Sequence, residues 1–230
     1  MNIVILTGAG VSAESGLQTF RGADGLWEGH RVEDVATPDA FGRNPELVQR
    51  FYNERRARLL DGTVHPNPAH LALARLEREY PGQVLLITQN IDDLHDRAGS
   101  KNLLHLHGEL LKCRCVVCAH TGEVRTDLTA RSICPECDST GTLRPDIVWF
   151  GEMPYHLDEI SAALQRADLF VSIGTSGSVY PAAGFVAMAA RNQASTLELN
   201  LEATSREFRD RRMGPASEVV PLWVAEVLGK

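Results

Sequence analysis

The chain has 230 residues, enough for one large domain, or a large domain with a small insertion, to bury a core without disulfide bonds. Its net charge of -7 argues against a nucleic-acid-binding protein whose affinity rests on neutralising phosphates. No apolar run approaches the roughly 20 residues of a membrane span, and the N-terminus lacks the features of a signal peptide. We therefore expect a cytoplasmic protein without membrane contact.

Four short apolar runs predict strands of a buried parallel sheet. Helical segments alternate with them, which indicates an α/β core of the doubly wound, Rossmann-like type. Asn67 and Pro68 are typical of an N-cap and a first helical position. The predicted strands cover residues 3–6, 84–87, 169–173 and 196–199, and the other predicted helices cover 45–60, 158–166, 181–190 and 218–228.

Two stretches break the alternation of strands and helices. Residues 23–64 have a helical and loop-like pattern, and residues 111–144 contain all five cysteines. We expect both to be insertions that together form a small helical and metal-binding domain. The large domain then comprises residues 1–22, 65–110 and 145–230.

The turn after the first strand carries a nucleotide-binding pattern. Gly8, Gly10 and Ala13 satisfy G-x-G-x-x-G/A at the edge where open α/β sheets bind ligands. Gly8 allows a tight turn, and Gly10 lets backbone N–H groups approach a diphosphate. A helix that starts near Ser12 adds a favourable dipole. Glycine turns also occur without a nucleotide, so the motif alone leaves the ligand open.

The region that follows argues against hydride transfer. A dehydrogenase has a second strand there, and it ends in an acidic residue that binds the ribose. Residues 18–27 form instead a polar, glycine-rich loop that contains Arg21. Glu202, after a later strand, is the alternative ribose ligand.

The cysteines predict a metal site. Cys115 and Cys118 form one C-x-x-C pair, and Cys134 and Cys137 form a second after fifteen intervening residues. This is zinc-ribbon spacing, in which four thiolates close a tetrahedral, structural site. Four buried or redox-active thiols are the alternative, although the segment is too polar to form its own core. A register with Cys113 in place of Cys115 also remains open.

Two histidines alternate along a segment predicted to be extended, so His105 and His107 share one face. His107, next to a glycine at the end of this segment, is either a general base or a hydrogen-bonded core residue.

Two other pairs also have two interpretations. Asn90 and Asp92 follow a strand, and they either bind a ligand or cap a helix. Tyr52 and Arg55 lie three apart on one helix face, where they either bind a carboxylate or face solvent.

Together these motifs resemble, in order and over essentially the whole chain, those of the sirtuin family. The chain is most similar to bacterial sirtuins of the desuccinylase-type class. The matching segments are G-A-G-V-S-A-E-S-G-L-Q-T-F-R-G from Gly8, T-Q-N-I-D from Thr88, L-H-G-E from Leu106, the two C-x-x-C pairs, V-W-F-G-E from Val148, G-T-S from Gly174 and N-L-E from Asn200.

The resemblance implies an NAD-dependent protein-lysine deacylase with desuccinylase, demalonylase and deacetylase activity, and one structural zinc ion. In that chemistry the amide oxygen of the acylated lysine attacks C1′ of the nicotinamide ribose and nicotinamide leaves. His107 is then the general base, and the acyl group ends on ADP-ribose as its 2′-O-ester. Protein mono-ADP-ribosylation at the same NAD site is the alternative, and a non-catalytic zinc-ribbon binding module is a third hypothesis.

The resemblance also assigns binding roles. Ala36, Tyr52 and Arg55 line the acyl pocket. The substrate peptide pairs as an added strand with the segment that contains Val148, Phe150, Gly151 and Glu152. The residues assigned to NAD are Gly8, Ala9, Gly10, Ser12, Ala13, Phe20, Arg21, Trp27, Gln89, Asn90, Ile91, Asp92, Gly174, Thr175, Ser176, Asn200, Leu201, Glu202 and Ala216.

Overall fold

The computed structural model describes residues 1–18, 27 and 29–230. The strands are β1 (Asn2–Thr7), β2 (Gln83–Thr88), β3 (Leu103–His105), β4 (Gly108–Cys115), β5 (Thr121–Glu123), β6 (Leu143–Ile147), β7 (Leu169–Ile173), β8 (Ser195–Asn200) and β9 (Asp210–Met213). The helices are α1 (Ala9–Ala13), α2 (Val32–Val35), α3 (Pro38–Arg43), α4 (Pro45–Leu60), α5 (Pro68–Glu79), α6 (Leu94–Ala98), α7 (Leu157–Leu164), α8 (Phe185–Arg191) and α9 (Ala216–Val227).

Six parallel strands form the central sheet in the order β3-β2-β1-β7-β8-β9. The chain winds outward from β1 to one edge and later from β7 to the other, which is the doubly wound arrangement. The predicted Rossmann-like fold is therefore confirmed. The winding reverses between β1 and β7, and such a reversal opens a crevice at the carboxyl ends of the strands.

The core consists of one layer on each face of the sheet. Successive strand residues point to opposite faces. Ile3 and Ile5 accordingly pack with α5 and α9, whereas Val4 and Leu6 pack with α7 and α8. Because both faces are covered, β1, β2 and β7 contain largely continuous apolar runs rather than alternating ones, and this pattern made them predictable.

The predicted helices match the structure with small differences. Helix α4 has the predicted bounds, and the Asn67 side chain accepts a hydrogen bond from the Ala69 N–H at 3.0 Å, as an N-cap does. The segment predicted as one helix over 181–190 divides into a 3-10 turn, Ala182–Gly184, and α8. Strand β9 was missed because it pairs only with β8 and its sequence, Asp-Arg-Arg-Met, is largely polar.

A smaller unit lies beside the sheet. Strands β4, β5 and β6 form an antiparallel sheet that begins at Gly108 and ends at Ile147, slightly beyond the predicted insertion 111–144. Helices α2, α3 and α4 share a buried cluster with Ile147 and Trp149. In the described part of the chain, no helix is both long and apolar enough to cross a membrane.

The glycines after β1 have a packing role that the sequence did not predict. The Gly10 N–H donates to Gly174 O at 2.8 Å. A Cβ on Gly8 would lie 2.9 Å from Gly174 O, and one on Gly10 would lie 2.8 Å from the Gly174 Cα. Both glycines are therefore required because the turn after β1 packs directly on the turn after β7.

We expect Gly10→Ala to lower the free energy of unfolding by about 1–3 kcal/mol, because the added methyl group collides with backbone that cannot move aside. Alanine has the higher helix propensity, which stabilises α1, so the steric effect must exceed this gain for stability to fall. Urea denaturation measures it, with Gly42→Ala as the control, since a Cβ at helical Gly42 meets nothing within 4 Å. Equal stability of the two variants would contradict the packing role.

Candidate active site

A cavity of about 480 Å³ opens where the winding reverses between β1 and β7. Its wall combines the turns after the central strands with α4 and the segment that follows β6. The predicted site residues on this wall are Gly8, Ala9, Ser12, Trp27, Ala36, Tyr52, Arg55, Gln89, Asn90, Ile91, Asp92, His107, Val148, Phe150, Gly151, Glu152, Thr175 and Ser176.

Other predicted site residues lie outside the wall. Asn200 is next to it, since its side-chain amide donates to Thr175 O at 2.8 Å. Ala13 is exposed and does not lie on the wall. Phe20 and Arg21 lie outside the described residues. The described predicted residues that are not on the wall are Gly10, Ala13, Gly174, Asn200, Leu201, Glu202 and Ala216.

The two alternating histidines separate. Strand β3 ends at His105 and His107 lies in the turn before β4, so the predicted common face is wrong. His105 Nε2 lies 3.1 Å from Asp96 Oδ2. Burial lowers the pKa of His105, but the Asp96 carboxylate outweighs this effect and the pKa is raised. His107 alone of the two lies on the cavity.

The contacts of His107 suit a proton acceptor. Its Nδ1 lies 3.1 Å from Gln89 O, and because a carbonyl only accepts, Nδ1 carries the proton and Nε2 has the free lone pair. Burial lowers the pKa of His107, and the bond to Gln89 offsets only part of this shift. The imidazole is therefore neutral at physiological pH and able to take a proton from a hydroxyl group.

Asn90 and Asp92 supply buried polar groups on the same wall. The Asn90 amide donates to Ser12 Oγ at 3.0 Å, and Asp92 Oδ1 accepts from the Leu94 N–H at 3.1 Å. Asp92 thus lies on the cavity and also stabilises the start of α6. Burial raises the pKa of Asp92 to about 6, against the opposing effect of its hydrogen bonds from Leu94 and Ser12.

Two buried histidines behind the cavity were missed by the sequence analysis. His70 Nε2 lies 3.4 Å from Ser12 Oγ, and His95 Nε2 lies 3.0 Å from Thr7 Oγ1. Burial lowers the pKa of His70 to about 4 and that of His95 well below its usual value, so both rings are neutral. The available signal was weak, since each histidine appears as one more residue on a buried helix face.

Tyr52 and Arg55 face the cavity rather than solvent. Tyr52 is fully buried, and burial raises its pKa. The Arg55 guanidinium lies 3.1 Å from the centroid of the Phe51 ring and donates to Phe51 O at 2.5 Å. A phenol and a guanidinium on the same cavity wall can together bind a carboxylate.

The Glu152 carboxylate is used within the protein. It accepts hydrogen bonds from Arg114 at 2.8 Å, from Arg144 at 2.6 Å and from the Trp149 N–H at 2.8 Å. Burial alone would raise the pKa of Glu152, but the bonds from Arg144 and Trp149 outweigh it, and the pKa is lowered. Its side chain therefore fixes the shape of the segment from Val148 to Glu152 and is not available to a peptide.

The cavity wall also includes residues that were not predicted. Val179, Tyr180 and Pro181 follow the G-T-S motif, and their position after β7 was the available signal. Trp149 lies inside the V-W-F-G-E motif. Among the residues that the structure describes, the unpredicted ones on the wall are Leu17, Gln18, Arg58, Leu59, Leu110, Ile147, Trp149, Pro154, Val179, Tyr180 and Pro181.

The four predicted metal ligands converge. The Sγ atoms of Cys115, Cys118, Cys134 and Cys137 all lie within 4.8 Å of one another, and two of the pairs are 3.7 and 3.8 Å apart. Tetrahedral zinc with bonds of about 2.3 Å separates its sulfur ligands by about 3.8 Å, whereas a disulfide requires about 2 Å. The cluster fits zinc, and Cys113 packs in the adjacent core rather than in the cluster.

Comparison with known proteins identifies relatives over nearly the whole chain. Residues 8–181 match the Sir2 family. The NAD-dependent protein deacylase of Vibrio vulnificus (strain YJ016) is 58% identical over 99% of this chain and 94% of its own length.

Solved structures agree with this relationship. A Sir2 homologue in complex with NAD is 42% identical with a TM-score of 0.89, over 98% of this chain and 89% of that one. A Sir2 structure with a p53 peptide and NAD⁺ is 32% identical with a TM-score of 0.82, over 99% and 93% of the two chains.

We expect Cys134→Ser to reduce the zinc content from about one ion per chain to nearly none, because a closed site needs all four thiolates. Metal analysis of the purified proteins measures the content, and thermal unfolding should show a lower midpoint for Cys134→Ser. Cys113→Ser is the matched control and should keep its zinc. Loss of zinc from Cys113→Ser would instead favour the register in which Cys113 is a ligand.

Proposed function

The chain belongs to the Sir2 family, and we propose that its cavity removes carboxylate-ended acyl groups from protein lysines, with NAD as co-substrate. NAD-dependent deacylation is the activity named for its relatives. The observation that carries the finer proposal is the position of His107, Tyr52 and Arg55 on one cavity wall. A proton acceptor and a carboxylate site thus face the same space.

The residues present fit NAD. The cavity lies at the reversal point of a doubly wound sheet, and its wall includes Gly8, Ala9 and Ser12, which directly follow β1. Buried amide and carboxyl groups of Asn90 and Asp92 supply hydrogen bonds for a carboxamide and a ribose. When bound, NAD supplies the electrophilic ribose carbon and nicotinamide as the leaving group.

His107 has the part of the general base. Its protonated Nδ1 is held by Gln89 O, which leaves Nε2 to accept a proton from a ribose hydroxyl. The neutral His70 ring and the Asn90 amide both contact the Ser12 hydroxyl group, and these contacts hold α1 in place beside the cavity. The chain thus provides a base that is uncharged before the reaction and needs no prior deprotonation.

The acyl pocket favours an anionic acyl group. Arg55 supplies a positive charge at a site where only 7% of the residue is exposed, and Tyr52 supplies a hydroxyl. The strength of a charge-assisted hydrogen bond rises in such a water-poor wall. A succinyl, malonyl or glutaryl group satisfies both partners, whereas an acetyl group satisfies neither.

The substrate peptide is proposed to lie along the segment Val148, Phe150 and Gly151. Glu152 holds this segment from behind, and Phe150 is 42% exposed at the cavity. An extended peptide that lies along this segment would pair with it as an extra strand. The similar Sir2 structure with a p53 peptide supports a peptide substrate.

Protein mono-ADP-ribosylation at the same NAD site is the competing function. The carboxylate pocket favours deacylation, because a transfer of ADP-ribose to a protein has no use for Tyr52 and Arg55. Mass spectrometry with labelled NAD distinguishes the two: label in 2′-O-acyl-ADP-ribose supports deacylation, and label on the acceptor protein supports the alternative.

The pH dependence should show the lowered pKa of His107. Its base form is lost as the pH falls, so kcat/KM should stay high down to pH 6.5, the usual pKa of histidine, and decline only below it. His107→Ala should lower kcat by about 10²–10⁴-fold. Asp92, with a pKa of about 6, ionises nearby, so Asp92→Asn is measured in parallel. An acid limb centred above pH 7 would contradict this assignment.

Arg55→Met should lower kcat/KM on a succinyl-lysine peptide by about 10–100-fold, since it removes a charge-assisted bond to the carboxylate. Deacetylation of the same peptide should fall far less. Arg50→Met is the matched control, because Arg50 is exposed on the same helix and is not on the cavity wall. Equal loss of both activities in Arg55→Met would show that the acyl pocket is wrongly assigned.

A further inference from the structure

Trp149 is the one residue of V-W-F-G-E for which neither the motif nor the proposed chemistry provides a role. It is 2% exposed, yet its ring reaches the cavity wall. Its indole N–H donates to Tyr52 Oη at 3.0 Å, and the two rings stack with centroids 6.3 Å apart and planes inclined by 29°. Trp149 thus contacts directly the hydroxyl group that forms part of the acyl pocket.

This hydrogen bond has a fixed direction. An indole nitrogen only donates, so Tyr52 Oη is the acceptor and its own proton is directed away from Trp149. Tyr52 lies on the cavity wall. Burial raises the pKa of Tyr52, so the hydroxyl keeps this proton throughout the physiological range. The phenol is therefore held as a hydrogen-bond donor.

The indole is itself clamped. The Arg144 guanidinium lies 3.3 Å from the ring centroid, and Arg144 donates to Ile147 O at 2.7 Å and to the Glu152 carboxylate at 2.6 Å. The backbone N–H of Trp149 donates to the same carboxylate. Phe41 contacts the ring as well, with centroids 5.4 Å apart. The ring cannot rotate without breaking these contacts.

We propose that Trp149 is a positioning residue for acyl specificity, which fixes the Tyr52 hydroxyl as a donor to the terminal carboxylate of the acyl group. The inference rests on the proposed function and names a further residue of that site. A phenol without this partner would divide its time between orientations, and part of its hydrogen bond to the carboxylate would be lost. An acetyl group has no carboxylate and loses nothing by the change.

Trp149→Phe is the test, because it keeps an aromatic ring and removes only the N–H donor and part of the surface. We expect kcat/KM on a succinyl-lysine peptide to fall about tenfold, and on the acetyl-lysine version to fall no more than about twofold. The loss should appear in KM, because the lost interaction is formed already in the bound substrate. The ratio of the two activities is independent of the amount of folded enzyme.

A double-mutant cycle with Tyr52→Phe separates positioning from general packing. If Trp149 acts through the Tyr52 hydroxyl, Trp149→Phe should have almost no further effect on desuccinylation in the Tyr52→Phe background. Trp223→Phe is the control, since Trp223 is equally buried but belongs to the core on the α9 side of the sheet. It should leave the ratio unchanged.

Two outcomes would overturn the inference. One is an equal loss of both activities in Trp149→Phe, and the other is additive effects in the cycle. If either result is found while Arg55→Met still loses desuccinylation, the inference about Trp149 fails but the proposed function stands. Wild-type enzyme that removes acetyl groups but not succinyl groups would instead show that the acyl-pocket proposal itself is wrong.

Discussion

The contact between the turn after β1 and the turn after β7 determines where the residues of the cavity lie. The Gly10 N–H donates to Gly174 O, and the space between the turns after β1 and β7 is too small for a Cβ on either glycine of the first turn. This contact places the start of α1 at the reversal of the sheet. Gln89 extends the same arrangement, since its side chain donates to Thr175 Oγ1 at 3.1 Å and its carbonyl holds His107. The geometry of the candidate site is thus built from the ends of three strands.

The smaller unit contributes to the cavity through the hydrogen bonds that its arginines donate to the Glu152 carboxylate. Arg114 lies one residue before the cysteine cluster on β4, and Arg144 lies opposite it on β6. Both guanidinium groups converge on Glu152 and hold the segment from Val148 onward against the cavity. The antiparallel sheet that carries the cysteine cluster therefore shapes the Val148–Glu152 side of the cavity, although none of its cysteines lies on the cavity wall.

The sequence was sufficient for features that depend on local pattern. The buried strands were recognisable because both faces of the sheet are covered, and the zinc ligands because two C-x-x-C turns have a characteristic spacing. It was insufficient where a role depends on an unseen partner. Glu152 has the same sequence context whether it binds a peptide or two arginines, and His105 and His107 differ only because β3 ends between them. The contact between the indole N–H of Trp149 and the Tyr52 hydroxyl group is another such feature, because only the folded chain brings these two residues together.

The charges of the cavity form a consistent set. A neutral His107 depends on burial, and an unpaired acyl carboxylate in the same space would raise the pKa of that imidazole by stabilising its protonated form. Under the proposed function, the Arg55 guanidinium would cancel this charge where it enters, so an anionic acyl group would not disturb the base. Tyr52, which accepts a hydrogen bond from Trp149, would add a hydrogen bond without adding a second charge. A protein of net negative charge would then accept an anionic acyl group because the pocket carries its own compensating cation.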